Sequence, residues 1–458
     1  MGKHIYRIIS CIAVLVLLIV SITVSSAVLE RKSAKERCKG FFDQKENYDV
    51  LFFGTSHMIN AVYPMELWED YGIVSYNLAG HGMNISTSYW MMINALDYTT
   101  PRLVVIDCML LNGYGRLNPA LSHLSLDVFP FSINKVRMMQ DMTKDTDEQI
   151  EYLFDFSIYH SRWTELTKED FLVDYKTEKG AETRNYVADV PGFKWSIGDR
   201  KFDVEKTTGI VYLGRMIEEC QKRDIDVLLT YVPFPASEDE QLESNRVPEI
   251  AEEYGVNYLN FLRMDTINYV TDCSDSNSHL NGSGARKVTD YLGKFIRNEY
   301  EIPDQRGNSG YSDWSQAYEK YKAFKKRNFQ EQCDFDVYLS MLADSHYITI
   351  VSVGENIKFG AKTQALLKNI NIAENPVAER MVVDYRNGYA KPIDVQYHSN
   401  NIDILISESK IMAGGTVCDV KPYDMNAVNI IVLDAQNGYV VDNALFRLEG
   451  NSLNRKYE

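Results

Sequence analysis

Ser56 and His279 are the two residues whose types and settings could together carry out nucleophilic chemistry. Ser56 lies in DVLFFGTSHMINAVYP, residues 49–64, where an apolar run (50–53) breaks at Gly54 and delivers Thr55, Ser56 and His57 onto a tight turn before a helix-like stretch. A short continuous apolar run of this kind is expected to be a buried strand of a parallel sheet, and ligands of such sheets collect at the carboxyl ends of strands. The serine needs a base to take its proton and donors to hold the developing oxyanion. His279 is the candidate base, following a polar, acidic loop in DCSDSNSHLNGSG, residues 272–284, and preceding a helical run. A carboxylate must reach the far ring nitrogen to fix the tautomer. Asp275 is the first choice and Asp272 the alternative, with a Ser–His dyad left open. Read alone, the Gly-Thr-Ser-His turn would equally suit an ordinary helix start with Ser or Thr as its N-cap.

The elements that must position this pair alternate between strand and helix. After 50–53, strands are expected at 74–79, 103–108, 227–232 and 256–261, with helices at 86–96, 207–222, 238–254 and 284–298. Each apolar run is short and continuous, as in strands covered on both faces by helices, so the expected fold is a parallel α/β sandwich. Residues 110–203 form a long aromatic-rich insertion, either shaping the pocket or lying as a peripheral lid. A polar, aromatic connector spans 306–333. Beyond it, over 334–458, the rhythm becomes β-rich, with strands expected at 347–353, 381–385, 402–407, 428–434 and 439–446 and one helix at 361–370. Asn387-Gly388 and Asn437-Gly438 are hairpin or tight-turn signals.

The two motifs resemble the first and last blocks of the SGNH/GDSL hydrolase superfamily, over roughly residues 48–300. Gly54-Thr55-Ser56-His57 with His279-Leu280-Asn281 is most similar to the membrane-anchored branch that includes the D-alanyl transfer protein of teichoic acids and the alginate O-acetylation proteins. The resemblance implies a flavodoxin-like α/β/α sandwich on five strands over 41–305. It further implies Ser56 as nucleophile, His279 as general base, and an oxyanion hole from the backbone N–H of Ser56 and of a glycine in NLAGHGMN, residues 77–84. Gly82 matches the branch better than Gly80, and a glycine lets the backbone approach substrate without a Cβ. His57 belongs to the same motif, either orienting the pocket or standing as a satisfied polar neighbour. Two departures stand out. The family places Asp three residues before the histidine, which is Ser276 here, and it carries a Gly-x-Asn-Asp block after the third strand, where this chain has Asp107 and then CMLLNGYG. Asn112 is the substitute by position, since an ionised Asp107 cannot donate. The end of the chain, residues 427–450, resembles the GG domain of interleukin-like secreted factors, with Asn426-Ala427 in place of the expected Arg-Gly. That resemblance implies carbohydrate binding; the alternative is a structural cap or oligomerisation module.

Composition narrows the partners. With 458 residues, 48 basic and 64 acidic, the net charge of −16 argues against nucleic acid, whose phosphates need a basic face. Seven cysteines without a C-x-x-C or a close Cys/His pair disfavour a zinc site or redox motif, and no metal or cofactor is expected. Cys273 alone lies in the catalytic-looking loop. Residues 8–29 carry no charge and are long enough to cross a bilayer, so residues 1–40 are expected to be an uncleaved single-pass anchor. Lys3 and Arg7 argue for an inside amino terminus while Arg31, Lys32, Lys35, Arg37 and Lys39 pull the other way. The resemblance places the bulk outside the cell. The expected function is a membrane-anchored serine esterase or O-acyltransferase acting on cell-envelope polysaccharide or teichoic acid, with a multi-helix membrane acyltransferase as donor partner. The alternative is a non-catalytic, glycan-binding envelope scaffold.

Overall fold

The computed structural model describes residues 2–30, 37–38, 40–44, 46–112, 119–153, 156–171, 177–188, 190, 192–202, 206–275, 279–372, 380–392, 396–399, 402–407 and 409–457. Arg31, Lys32, Lys35, Lys39 and Ser276 lie outside them, as do parts of the 110–203 insertion.

Five strands, β1 (Val50–Phe53), β2 (Ser75–Asn77), β3 (Leu103–Asp107), β4 (Asp226–Tyr231) and β5 (Asn257–Asn260), form one sheet in the order β2-β1-β3-β4-β5. Every pairing in it is parallel. This is the doubly wound 2-1-3-4-5 arrangement, which turns outward on both sides of β1. The residues of β1 and β3 are all buried, and their side chains alternate between two cores. Leu51, Phe53, Val104 and Ile106 enter one with the helices Ile85–Ala95 and Thr208–Gln221. Val50, Phe52, Leu103 and Val105 enter the other with the helices Pro64–Tyr71 and Gly282–Glu299. A strand sends successive side chains to opposite faces, so an unbroken apolar run is what a sheet covered on both faces requires.

The helix expected over 238–254 is two helices, Glu238–Ser244 and Val247–Tyr254. Pro248, in the first turn of the second, has no N–H to continue the first helix but suits a helix start.

The C-terminal half is antiparallel and richer in strands than the sequence pattern predicts. A six-stranded sheet runs β15-β14-β13-β6-β7-β8, from β6 (Tyr347–Val353), β7 (Met381–Asp384), β8 (Tyr389–Pro392), β13 (Ala427–Asp434), β14 (Val440–Glu449) and β15 (Ser452–Lys456). One face packs on the helices Phe335–Met341 and Ala361–Asn369. The other meets a four-stranded sheet of β9 (Gln396–His398), β10 (Asp403–Ile406), β11 (Lys410–Ala413) and β12 (Thr416–Asp419). The extra strands escape the sequence because β11 alternates buried with exposed positions, β12 has no buried position, and both are only four residues long. Gly388 and Gly438 take left-handed φ of 61° and 75° in the β7–β8 and β13–β14 turns, as the two Asn-Gly pairs predict.

Residues 306–333 hold a helix, Ser312–Glu331, that fastens the two halves together. Its Trp314 and Tyr321 belong to the first core and its Phe329 to the C-terminal core. Between them Lys325 is buried, 3.1 Å from Glu66 and 3.5 Å from Asp344, while Tyr321 donates to Glu66 at 2.9 Å. His346 continues the network to Asp344 at 2.7 Å and Asp70 at 3.0 Å. Burial alone would raise the Asp344 carboxyl, but Lys325 and Arg286 hold it well below the usual range. Glu66, Glu69 and His346 lie close enough to hold a metal ion, yet Lys325 stands among them as their cation. A cleft of about 700 Å³ opens along this seam, lined in part by Tyr71, Tyr291, Tyr385 and Arg386.

Removing one member of a buried charge network leaves the others uncompensated, at a cost of about 3–5 kcal/mol. Lys325→Met is expected to lower unfolding stability by that order, measured by equilibrium urea unfolding of the full chain in detergent micelles. A loss below ~1 kcal/mol would show that the network is solvated rather than buried.

Candidate active site

The nucleophile turn is built by three neighbours with different tasks. Gly54 ends β1 with φ 153°, and a Cβ there would lie 2.6 Å from the Cβ of Asp107, at the end of β3. Thr55 is the N-cap of the helix Ser56–Ala61, its hydroxyl accepting the His57 N–H. Because Thr55 caps, the Ser56 side chain is left for other work. Its Oγ lies 2.8 Å from Nε2 of His279.

The histidine loop is closed at its base. Cys273 and Leu280 form an antiparallel bridge, and Ser274 N–H donates to the His279 carbonyl at 2.8 Å. Asn281 then caps the helix Gly282–Glu299, accepting from the N–H groups of Ser283 and Gly284. The His-Leu-Asn order thus fixes the helix start two residues beyond the imidazole. Asp275 closes the loop tip, one oxygen accepting the His279 backbone N–H at 3.2 Å and the other lying 2.6 Å from Nδ1. With Nδ1–H donating to Asp275, Nε2 is the acceptor for the Ser56 hydroxyl. The spacing of four works because the backbone and ring of one histidine share one carboxylate.

Burial lowers the His279 pKa below 6.5; Asp275 opposes this, and Arg184, 2.9 Å from Asp275, reinforces it. The imidazole is therefore neutral at pH 7, as a proton acceptor must be. His57 stacks on His279 with centroids 5.2 Å apart and rings 19° from parallel, and it also packs on Phe234. Burial first, and the His279 charge second, push His57 down to about 3, so it is neutral too. Its Nδ1 meets Thr55 Oγ1 at 2.9 Å, while Nε2 is buried without a hydrogen-bond partner among the described residues.

Among the described residues the backbone N–H groups of Ser56 and Gly82, like those of Thr55 and His81, donate no hydrogen bond. The Gly80 N–H, in contrast, donates to the Gly54 carbonyl at 3.0 Å, which lays the loop after β2 against the Ser56 turn. Gly82 sits in that loop at a left-handed φ of 64°, which a glycine takes without penalty. The geometry separates the two glycines: Gly80 shapes the loop, and Gly82 has a free donor.

Other sequence candidates lie elsewhere. Asp272 is not in the pocket: it is fully buried and accepts from Lys287 at 2.7 Å, Ser283 at 2.9 Å and the Asn268 N–H at 2.8 Å, as the foundation of the histidine loop. Asn112 makes no hydrogen bond to Ser56 or His279 among the described residues; its N–H is held by Glu243 at 2.9 Å. Burial pushes the Cys273 thiol up to about 12, which removes it as a nucleophile. Asp107 is fully buried beneath Gly54, accepts the Val232 N–H at 3.2 Å, and is pushed up to about 7 by burial. Sequence reasoning missed Arg184, Phe234 and His81, whose charge would also lower the His279 pKa. Only His81 had a signal, its place beside Gly82.

No family model matches the sequence, and no curated protein matches it. Among solved structures the chain is similar to a Bacteroides fragilis protein assigned as an acylhydrolase, with 11% identity over 54% of this chain and 86% of that one and a TM-score of 0.27. It is similar to a GDSL-like lipase from Bacteroides thetaiotaomicron, with 12% identity over 56% and 88% and a TM-score of 0.26. An acetyl xylan esterase from the rumen bacterium Butyrivibrio proteoclasticus gives 9% identity over 55% and 63% and a TM-score of 0.25. Likeness of this size carries no argument about the reaction, which has to come from the side chains themselves.

Two outcomes are expected. Gly54→Ala forces its Cβ into Asp107 and should lower the Tm by several degrees while disordering the Ser56 turn, as read by loss of the Ser56–His279 coupling in NMR spectra. Arg184→Gln removes a cation that holds His279 down, so the His279 titration midpoint should move up towards 6.5; a downward or absent shift would contradict the assignment.

Proposed function

We propose that this chain is a serine acyl-transfer enzyme, an esterase or O-acyltransferase, held at a membrane by its N-terminal helix. The observation that carries the reading is the line from Ser56 Oγ through His279 to Asp275, with heavy-atom separations of 2.8 Å and 2.6 Å. Ser56 attacks an acyl carbonyl as His279 Nε2 takes its proton. The tetrahedral oxyanion turns towards the Ser56 and Gly82 N–H groups, donors fixed before reaction and so aimed where charge develops. Collapse breaks the bond to the leaving oxygen, which receives the proton from His279, and leaves an acyl ester on Ser56. A second hydroxyl, from water or an acceptor, is deprotonated by His279 and takes the acyl group, restoring Ser56. Asp275 holds the tautomer and faces the imidazolium while it exists.

The helix Gly2–Leu29 is long and apolar enough to cross a membrane. With the Gly-Thr-Ser-His motif, it supports an extracytoplasmic enzyme acting on cell-envelope polysaccharide or teichoic acid and receiving acyl groups from a multi-helix membrane acyltransferase. The competing reading, a glycan-binding scaffold with a degenerate site, draws on the lack of an Asn donor after β3. It leaves unexplained why a neutral histidine, itself held by a carboxylate, meets one serine hydroxyl.

A fluorophosphonate probe tests the reading. The full chain should gain one adduct by intact mass; Ser56→Ala should gain none, and His279→Ala should react about 10²–10⁴-fold more slowly. If the parent stays unlabelled while a reference serine esterase reacts, the scaffold reading replaces this one. If it labels, acetyl and D-alanyl donors with water or glycan acceptors distinguish hydrolase from transferase.

A further inference from the structure

The last turn of the helix Gly2–Leu29 does not end in open solvent. It packs against three short turns of the insertion, Phe156–Tyr159, His160–Thr164 and Lys168–Phe171. Arg162 donates to the carbonyls of Leu29 and Glu30, at 2.5 Å and 2.9 Å, satisfying acceptors that a helix leaves unpaired at its C-terminus and placing a cation at the negative end of its dipole. The same guanidinium reaches Asp170 at 3.1 Å, so one arginine ties the helix end to both flanking turns. Tyr159, whose hydroxyl donates to the buried Asp127 at 2.9 Å, fastens these turns to the body of the protein.

On these same turns two large aromatic side chains face outward, and nothing among the described residues covers them. Trp163 is 70% exposed and Phe171 64% exposed. Aromatic side chains at the level where an apolar span ends are those of a membrane interface, where Trp in particular sits among headgroups. Charge does not explain these two positions: both side chains are uncharged, and the chain as a whole carries −16. The occupant of this face must be met by apolar contact. The face is continuous with the end of the spanning helix.

We propose that residues 160–171 are a bilayer-seated foot, in which Trp163 and Phe171 enter the headgroup region beside the end of the helix and Arg162 locks the angle between helix and body. The proposal rests on the reading of residues 2–29 as a membrane span. It adds that the catalytic half is seated on the lipid surface and does not swing from a tether.

The sequence makes the test clean. Of five tryptophans, Trp68, Trp90 and Trp314 are buried, Trp195 is half-buried beneath Arg263, and the spanning helix contains none. The full chain is incorporated into nanodiscs of phosphatidylcholine and phosphatidylglycerol, with and without bromine at carbons 6 and 7 of the acyl chains, and tryptophan emission is compared. Brominated lipid should quench the parent, Trp163→Phe should reduce the quenching at least threefold, and raising salt from 0.1 to 0.5 M should leave it unchanged. Phe171→Ser should weaken quenching of the retained Trp163. Absence of quenching in discs that carry the protein, or equal quenching in parent and Trp163→Phe, overturns the foot while leaving the anchor standing. Failure of the full chain to enter discs overturns the anchor, and the foot with it.

Discussion

The candidate site depends on the close approach of β1 and β3 at their carboxyl ends. Gly54 lies so near Asp107 that no other residue fits, and its carbonyl receives the Gly80 N–H from the loop after β2. One residue without a side chain therefore gathers the ends of three adjacent strands. The turn that follows points Ser56 outward and Thr55 inward, the loop after β2 comes to rest against it, and Gly82 is left with its N–H uncommitted. A parallel sheet places such turns along one edge as a matter of topology. The missing Cβ brings them into contact.

Electrostatics divides the two histidines at that edge. Both are neutral near pH 7, for related reasons of burial, yet only His279 has a carboxylate on its far nitrogen. His57 meets a hydroxyl instead, and a stacked partner whose positive charge would repel its own. When His279 becomes charged, His57 cannot follow. Burial and the His279 charge both disfavour a proton on His57, while the Asp275 carboxylate favours one on His279.

Much of this was legible in the sequence. The unbroken runs Val50–Phe53 and Leu103–Asp107 announced strands buried on both faces; Ser56 and His279 were nameable because each lies beside a helix start marked by Gly54 or Asn281, and Asp275 because it is a carboxylate close to His279 in sequence. Hydrogen-bond partners brought together by the chain's return were not. Asp272 and Asp275 look alike as letters, and only Lys287 and Ser283 make the first a foundation and leave the second for the imidazole. Arg184 sits in an insertion without periodicity, so nothing local marks its approach to Asp275. The short strands β11 and β12 were hidden because a four-residue alternation is too brief to stand out from a loop.

The helix Ser312–Glu331 has a meaning for how such a chain can be cut and recombined. Its Trp314 is packed in one core and its Phe329 in the other, with Lys325 neutralising carboxylates contributed by both sides. Lys287 adds a second tie, bonding Asp272 under the histidine loop and Asn369 in the C-terminal half. The β-rich half is thus no cassette to be spliced onto another catalytic unit, or exchanged, at a convenient boundary. Any recombination there would separate a lysine from its counter-ions and remove a wall from the histidine loop. The two halves have to be inherited together, because Lys287 joins the C-terminal half to the foundation on which His279 stands.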